Sequence, residues 1–340
     1  MSRATRILSI ATDNPDEHLL EEAAAILRRG GLVAFATETV YGLGADATNP
    51  EAVARIFEAK GRPASNPLIV HASDLPMARA CVAAWPPEAE TLAQRYWPGP
   101  LTLVLPRSAL IPEIVTAGLP TVGVRIPHPE VARRLIARTG RPIAAPSANR
   151  SMGVSPTLAE HVRDDLDGRI DLILDSGQTT IGLESTVVDL TTRQPRILRP
   201  GPYTVTELEH VLANIHVREA VEANPGGAPR SPGLLPVHYA PRTRAVRVES
   251  PQDLADFPWP ERAALIVLGR HELPPLPASI QRFDLPAPGI AARGLYLTLH
   301  RCDRMGLDLI VVLPPPEQQE WHAIRDRIRR ATKPLRPEPR

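Results

Sequence analysis

Cysteine is nearly missing from this 340-residue chain: Cys81 and Cys302 are its only two, far apart and in dissimilar surroundings. A disulfide framework is thereby excluded. With no Cys-x-x-Cys pair and with histidines scattered without ligand spacing, nothing indicates a zinc site. No stretch approaches the roughly 20 consecutive apolar residues of a membrane span. Residues 1–11 lack the apolar core and cleavage site of a secretion signal, so the expected location is the cytoplasm. Charge of one sign is not in excess either. With 39 Lys and Arg against 38 Asp and Glu, the formal net charge is +1, so any anion-binding surface has to be local. Two common catalytic devices are also absent: there is no Gly-x-x-x-x-Gly-Lys-Ser/Thr phosphate loop and no Gly-x-Ser-x-Gly elbow.

What is present describes an ordinary globular protein, 43% hydrophobic and 23% charged, and long enough for two domains. Proline is abundant at 39 residues, which predicts short elements joined by stiff turns. Asn14-Pro15-Asp16-Glu17 reads as a helix start, Leu20, Ala23, Ala24 and Leu27 as its apolar face, and Gly30-Gly31 as its stop. A buried strand is expected over 32–36, a helix from Asn49 with Val53, Ile56 and Phe57 inward, and a strand over 68–72. A helical region follows over 74–95, strands over 101–105 and 122–126, and a helix near 129–138. Short apolar runs lie at 143–145, 171–174 and 186–190. Thr204 and Glu207 have the spacing of a capping box and open the last helix of this half. Alternating strands and helices in this order predict an α/β domain, 1–215.

Composition changes over 216–244. The run Asn224-Pro225-Gly226-Gly227-Ala228-Pro229 sustains neither helix nor central strand, so this stretch is expected to be a linker. A smaller α/β unit, 245–331, is expected beyond it, with strands over 245–248, 264–268 and 309–313 and helices over 290–304 and about 318–330. Residues 332–340 form a basic, proline-rich tail. From Arg325 to the end there are seven Lys or Arg against two acids, which reads as a solvated terminus.

Four segments are polar where α/β domains place ligands, at strand ends and in the loops after them. They are Thr37-Glu38-Thr39-Val40-Tyr41-Gly42-Leu43-Gly44; Lys60-Gly61-Arg62-Pro63 with Asn66 to His71; Pro146-Ser147-Ala148-Asn149 with Ser155 downstream; and Glu184-Ser185-Thr186 with Arg199-Pro200-Gly201. Gly42, Gly44 and Ala47 match Gly-x-Gly-x-x-Ala, but polar residues separate them from the strand before, and the match is read as chance. Lys60, Arg62 and Arg199 stand beside Gly or Pro, where a stiff backbone presents donors to an anion. Hydroxyls at Thr37, Ser147, Ser155 and Ser185 suit a small polar substrate. Singly, each has a plainer reading: Ser147-Ala148-Asn149 as a turn, Lys60 as a solvated helix end.

Together the segments resemble the threonylcarbamoyl-AMP synthases, in the long form with a YrdC-type catalytic domain and a C-terminal accessory domain. The resemblance rests on the Thr37–Leu43, Lys60–Pro63, Pro146–Asn149 and Glu184–Val187 runs, on Asn66-Pro67-Leu68, on Trp97-Pro98-Gly99-Pro100-Leu101-Thr102, and on Leu198-Arg199-Pro200-Gly201. It resumes at Ser231-Pro232-Gly233 and His238-Tyr239-Ala240-Pro241. Two departures stand out: Ala36 where the family usually has proline, and the apolar Leu234-Leu235-Pro236-Val237 before His238.

The resemblance implies a YrdC-type twisted mixed sheet with helices and a smaller Rossmann-like α/β domain. It implies an enzyme that transfers the adenylyl group of ATP to the carbamate of L-threonine, formed with bicarbonate. The expected product, threonylcarbamoyl-AMP, passes to a tRNA threonylcarbamoyl-transferase complex; direct contact with tRNA is left open, and no membrane partner is expected. Thr37, His71, Arg125, Ser185 and the backbone near Ala145 match the threonine positions. Lys60, Arg62, Thr121, Ser147, Asn149, Ser155, Arg199, His238 and Tyr239 match the ATP positions, the last two within a linker segment, 231–241, expected to fold over the site as a lid. Mg²⁺ is expected on the ATP phosphates, with no protein metal ligand and no assigned general base. Lys60 and Arg62 are expected at the surface, so that alanine there costs activity and not stability. Two other readings stay open: an RNA-binding module using the same basic surface, and a carbamoyl-transfer enzyme of the YrdC type.

Overall fold

The computed structural model describes residues 4–212, 218–219 and 238–335. Its chain divides into two compact units. The first contains Met1–Ser151, Pro156–Thr180 and Glu184–Leu234; the second contains Leu235–Arg340 together with two short insertions, Met152–Ser155 and Ile181–Leu183. Most of the linker expected over 216–244 and the end of the tail lie outside the described residues. Among the described residues no helix is long and apolar enough to cross a membrane.

Eleven described strands form the first unit's sheet: β1 (Arg6–Ser9), β2 (Val33–Ala36), β3 (Tyr41–Asp46), β4 (Ile69–His71), β5 (Leu101–Pro106), β6 (Thr121–Arg125), β7 (Ile143–Ala144), β8 (Leu172–Asp175), β9 (Thr186–Asp189), β10 (Arg196–Arg199) and β11 (Arg218–Glu219). Their order is β1-β8-β2-β3-β7-β4-β6-β5-β9-β10-β11. Pairing is mixed, parallel for β4 with β6 and for β5 with β9, antiparallel for β2 with β3 and for β5 with β6.

The expected helices form for the expected reasons. Asp16 caps α1 (Glu17–Arg28) by accepting from His18 N and Leu19 N. Asn49 caps α2 (Pro50–Lys60), which has Pro50 in its first turn and is stopped by Gly61 in the left-handed region, φ 62°. The region expected to be helical over 74–95 is two helices, α3 (Leu75–Ala80) and α4 (Pro87–Tyr96). The first ends at Ala80, capped by Cys81, and Pro86 at the N-cap with Pro87 in the first turn, where a missing N–H costs nothing, begins the next. Also in this unit are α5 (Glu113–Thr116), α6 (Glu130–Thr139), α7 (Ala159–Leu166) and α8 (Val205–Val211). The last opens on the Thr204–Glu207 capping box.

Strand β3 was not apparent as a strand in the sequence. It pairs with β2 through the tight turn at Thr37–Val40 and is buried along its whole length. Glycine is required in it by packing. A Cβ on Gly44 would lie 2.8 Å from the Phe35 ring and 2.9 Å from Ile143 Cγ2. The Gly-x-Gly spacing therefore serves strand packing and not a phosphate loop.

One face of the sheet carries Leu43, Ala45, Val70, Leu101, Leu103, Leu105, Val122, Val124 and Ala144, in the larger core with α2 and α4. On the opposite face, Val33, Phe35, Ile143 and Ala145 pack with α1 and α6, while Val104, Val187 and Leu198 form a separate small cluster. Strand alternation puts Ile69, His71, Thr121, Gly123 and Arg125 on this same face, along β4 and β6.

The second unit's sheet has five described strands, β12 (Ala245–Arg247), β13 (Ala263–Leu268), β14 (Gln281–Leu285), β15 (Leu309–Leu313) and β16 (Lys333–Pro334), in the order β14-β13-β15-β12-β16. All pairings among these described strands are parallel. Helices α9 (Pro288–Arg304) and α10 (His322–Ala331) accompany it.

Gly44→Ala is expected to lose about 1–3 kcal/mol through overpacking. Gly61→Ala, where an added Cβ meets nothing within 4 Å, should lose only about 1 kcal/mol for its positive φ. Urea unfolding of both variants checks this ordering.

Candidate functional site

Within the first unit, polar side chains concentrate on the sheet face described above. Parallel register pairs His71 with Arg125, so the two stand side by side at the ends of β4 and β6. Both are buried, at 4% and 3% exposure. Arg125 Nε donates to Gly99 O at 3.2 Å and Nη1 to Thr39 Oγ1 at 3.1 Å, while Nη2 pairs with Glu38 Oε1 at 2.7 Å. Glu38 Oε2 accepts from His128 N at 3.0 Å. The guanidinium is therefore held by hydrogen bonds to a carbonyl and a hydroxyl and by an ion pair with a buried carboxylate before any ligand arrives.

Burial, reinforced by the Arg125 charge and opposed by the Ile69 backbone, lowers His71 to a pKa of about 3. This imidazole is neutral at physiological pH. Its Nδ1 makes no hydrogen bond among the described residues, and its ring lies edge-on to Phe35 at 6.4 Å. Thr37 sits in the turn between β2 and β3. Its hydroxyl donates to Val40 O at 2.7 Å and lies 2.7 Å from Thr39 Oγ1. Ala145 follows β7 and hydrogen-bonds Ile69 O through its N–H at 3.0 Å, so its backbone borders the same strands.

A second set gathers at the end of α2. Lys60 is only 2% exposed; its Nζ donates to Ser147 O at 2.6 Å, to Asn149 O, and to Asn149 Oδ1 at 3.3 Å. Burial, then the charge of Arg62, lowers its pKa well below the ordinary ammonium range, with Asp165 acting the other way. Ser147 donates to Asn149 Oδ1 at 2.6 Å. Arg62, 7% exposed, donates to Asn66 O and Pro67 O at 3.2 and 2.9 Å. Extending the register from Ile69 and Gly123 sets Pro67 level with Thr121 at the other end of β6. The expectation that Lys60 and Arg62 lie at the surface is thus corrected. Helix α2 ends against the 147–149 loop, and its terminal lysine is enclosed by that loop's carbonyls.

A third set joins Ser185 to Arg199. Ser185 Oγ lies 2.7 Å from Thr102 Oγ1 and accepts from Arg199 Nη2 at 3.0 Å, and Arg199 Nε donates to Ser185 O at 3.1 Å. Gly201 makes this possible: a Cβ there would stand 2.2 Å from Thr186 N and 2.6 Å from Ser185 C. The Arg-Pro-Gly run lies flat on the Ser185–Thr186 backbone, where no other residue fits.

Ser155, His238 and Tyr239 belong to the second unit. Ser155 O accepts from His300 Nε2 at 3.2 Å. His238 N donates to Arg330 O, and Ala240 N to Met152 O. Tyr239 adopts φ 62°, stacks on Tyr296 with ring centroids 5.7 Å apart, and has the Arg327 guanidinium 5.2 Å from its ring centroid. Residues 231–237 of the expected lid lie outside the described residues.

Glu38, Thr39, Gly99 and Thr102, which hold Arg125 and Ser185, received no role from the sequence, although all stand in the runs that carried the resemblance. The signal available for Glu38 was an acid set two residues after a wholly apolar strand. Among the described residues no group of three or more His, Cys, Asp or Glu side chains is placed to hold a metal ion.

His71 supplies a pH test. Its folded pKa is depressed below the usual 6.5, so unfolded chains bind more protons than folded ones between about pH 6.5 and 3. Its contribution to stability is present above that window and is lost as pH falls, by up to about 1.4 kcal/mol per pH unit. Chemical denaturation of native chain and His71→Gln across this range should show a shallower acid loss in the variant.

Comparison with known proteins finds relatives over most of the chain. A family model described as "Telomere recombination" matches residues 25–201, and one described as "Threonylcarbamoyl-AMP synthase, C-terminal domain" matches 203–332. A threonylcarbamoyl-AMP synthase of Pyrococcus abyssi is 42% identical over 330 residues, covering 93% of this chain and 95% of the relative. One of Bacillus subtilis is 50% identical over 234 residues, 68% of this chain and 66% of the relative. The crystal structure of P. abyssi Sua5 complexed with L-threonine superposes with a TM-score of 0.87 at 40% identity, covering 98% of this chain and all of that one. The chain belongs to the threonylcarbamoyl-AMP synthase family, in the form that carries the additional C-terminal domain.

Proposed function

We propose that this chain converts L-threonine, bicarbonate and ATP to threonylcarbamoyl-AMP, pyrophosphate and water, as an adenylyl transferase serving threonylcarbamoyladenosine modification of tRNA. The observation that carries the reading is the set of buried cationic and hydroxyl side chains at three places in one unit, in a chain whose relative was solved with L-threonine. The threonine amine adds to bicarbonate, water leaves, and a carbamate forms. A carbamate oxygen then attacks the α-phosphorus, and pyrophosphate departs as the P–O bond to it breaks. No covalent enzyme intermediate is required, so catalysis consists of positioning and of preorganised charge.

Arg125 takes the threonine carboxylate. Gly99 and Thr39 take two of its five N–H groups and the Glu38 carboxylate lies beside Nη2 as an ion pair, which leaves N–H groups on both terminal nitrogens for a two-point contact. Neutral His71, Thr37, Ser185 and the Ala145 backbone read the rest of the amino acid. Lys60, Arg62, Thr121, Ser147, Asn149, Ser155 and Arg199 serve ATP, with His238 and Tyr239 contributed by the second unit. Lys60 needs three N–H groups to satisfy its three oxygen acceptors, so its geometry favours the ammonium that burial opposes. A triphosphate beside it would favour the same charged form.

Mg²⁺ enters bound to the triphosphate, where it supplies charge neutralisation of the phosphate oxygens. The buried cations fit an anionic nucleotide, and no described residue is assigned as its ligand. The reaction is placed in the cytoplasm, and its labile product is handed to the tRNA threonylcarbamoyl-transferase complex.

Incubation with ATP, bicarbonate and labelled threonine should release pyrophosphate only when both co-substrates are present. Equal ATP cleavage without threonine would identify a plain nucleotidase, and RNA binding with no pyrophosphate an RNA-binding module. Arg125→Lys keeps the charge and loses the planar fork. Its KM for threonine should rise at least about tenfold, roughly 1.4 kcal/mol, with a smaller change for ATP; equal changes for both ligands would make Arg125 a structural residue.

A further inference from the structure

The first unit carries a pocket of about 140 Å³ at the amino ends of β1 and β8, and the reaction above uses none of its residues. Strands β1, β8 and β2 run parallel. Thr37 follows the carboxyl end of β2, so the pocket and the candidate site lie at opposite ends of that strand. The end of α1 brings Arg29 to the pocket, α2 brings Arg55, and the turn between α7 and β8 brings Arg169, beside Arg6 on β1. Asp171 is the one acid in the lining.

Two of the four arginines are committed. Arg6 pairs with Glu22. Arg55 pairs with Asp171 at 3.2 Å and donates to Gly30 O at 2.7 Å, and the same Asp171 oxygen accepts from Leu32 N at 2.8 Å. Arg29 and Arg169 differ from them. Both are exposed, and among the described residues neither guanidinium has a hydrogen bond, an ion pair or a ring contact. A plainer role for them is to face the carboxyl ends of α1 and α7, where a positive charge is favoured. That role engages none of their side-chain donors, because main-chain N–H groups already answer the carbonyls there: Arg29 N to Ala25 O, Gly31 N to Ile26 O, Gly30 N to Leu27 O and Arg169 N to Leu166 O.

Size and charge then select the ligand. The volume is below the roughly 300–1,000 Å³ of pockets that hold drug-sized molecules, and equals about five waters at about 30 Å³ each. It admits one phosphate group and excludes a whole nucleotide. Two uncommitted guanidinium groups match the charge of about −1.5 to −2 on a terminal phosphate at neutral pH, and exceed the single charge of a phosphodiester. Their planar forks suit its oxygens.

We propose that this pocket binds one terminal phosphate group, either inorganic phosphate or the end of a phosphate monoester whose remainder lies outside. Arg29 and Arg169 contact its oxygens, and Arg6 and Arg55 stand beside it, held by Glu22 and Asp171.

Equilibrium dialysis of the full chain against inorganic phosphate tests this at low ionic strength, since salt screens exposed charges. The variants are Arg29→Gln and Arg169→Gln. The control is Arg28→Gln, whose side chain is also exposed but pairs with Glu21 and is not part of the lining. Melting temperatures check that all three fold. The expected result is an equivalent of phosphate whose affinity falls at least about tenfold in each pocket variant and no more than about twofold in the control. Displacement of that equivalent by AMP assigns the site to monoesters as well; no displacement assigns it to the free anion. The proposal is overturned if no phosphate equivalent depends on Arg29 and Arg169, or if the control loses as much as the pocket variants. It is overturned also if an RNA oligonucleotide with hydroxyl ends binds with that dependence while inorganic phosphate does not, which would make the surface a contact for phosphodiesters. Threonine-dependent pyrophosphate release should be the same in all three variants as in the native chain. Its absence from the native chain would count against the proposed reaction and leave the pocket's ligand to the dialysis.

Discussion

The burial of Lys60 is the constraint on which the rest of the candidate site depends. A lysine ammonium 2% exposed has lost nearly all its water, a loss that costs several kcal/mol unless oxygens replace the solvent. Here they are the Ser147 and Asn149 carbonyls and the Asn149 side chain. The lysine therefore fixes the 147–149 loop, and the loop fixes the lysine. Leu43 and Ala148 tie that loop to β3 through hydrogen bonds to Pro146 O and from Ala148 to Tyr41 O. β3 is in turn buried between β2 and β7, where Gly44 leaves room for the Phe35 ring. A helix terminus, a loop and a strand are held in one arrangement by one cation.

Arg125 and Arg199 repeat the logic with different partners. Arg125 is fixed by Glu38, Thr39 and Gly99, and Arg199 by both the hydroxyl and the carbonyl of Ser185. A preorganised cation loses little freedom when an anion binds, so more of the interaction remains as affinity or as stabilisation of developing charge. The same rigidity explains why small residues recur around these side chains. Gly201 lets the Arg199 segment lie on Ser185–Thr186, and Gly123, between Thr121 and Arg125 on β6, keeps that face low along its length.

Much of this was legible in the sequence. Helix α2 announced itself by Asn49, Pro50 and Gly61, α8 by Thr204 and Glu207, and the site segments by polar runs at strand ends. What was hidden had physical causes. β3 escaped because it is buried on both faces and its glycines and alanine erase the two-residue alternation that marks a half-buried strand. The depth of Lys60 escaped because a lysine at a helix end is usually solvated, and only the distant 147–149 loop encloses it. Glu38 escaped because its partner, Arg125, is far away in sequence and meets it only through the sheet. The short insertions at 152–155 and 181–183 join the second unit by tertiary packing that no local pattern records.

The claim that these buried cations are held ready for an anionic substrate is tested most directly by ligand-induced stabilisation in Lys60→Met. Removing the ammonium leaves the Ser147 and Asn149 oxygens short of a donor, so the variant should unfold about 1–3 kcal/mol more easily than the native chain. If the account is right, saturating Mg-ATP raises the melting temperature of the native chain much more than that of the folded variant, with threonine-dependent pyrophosphate release abolished. A variant that keeps the full ATP shift and normal activity per folded molecule would contradict it, and would make Lys60 a brace for the loop with no part in binding.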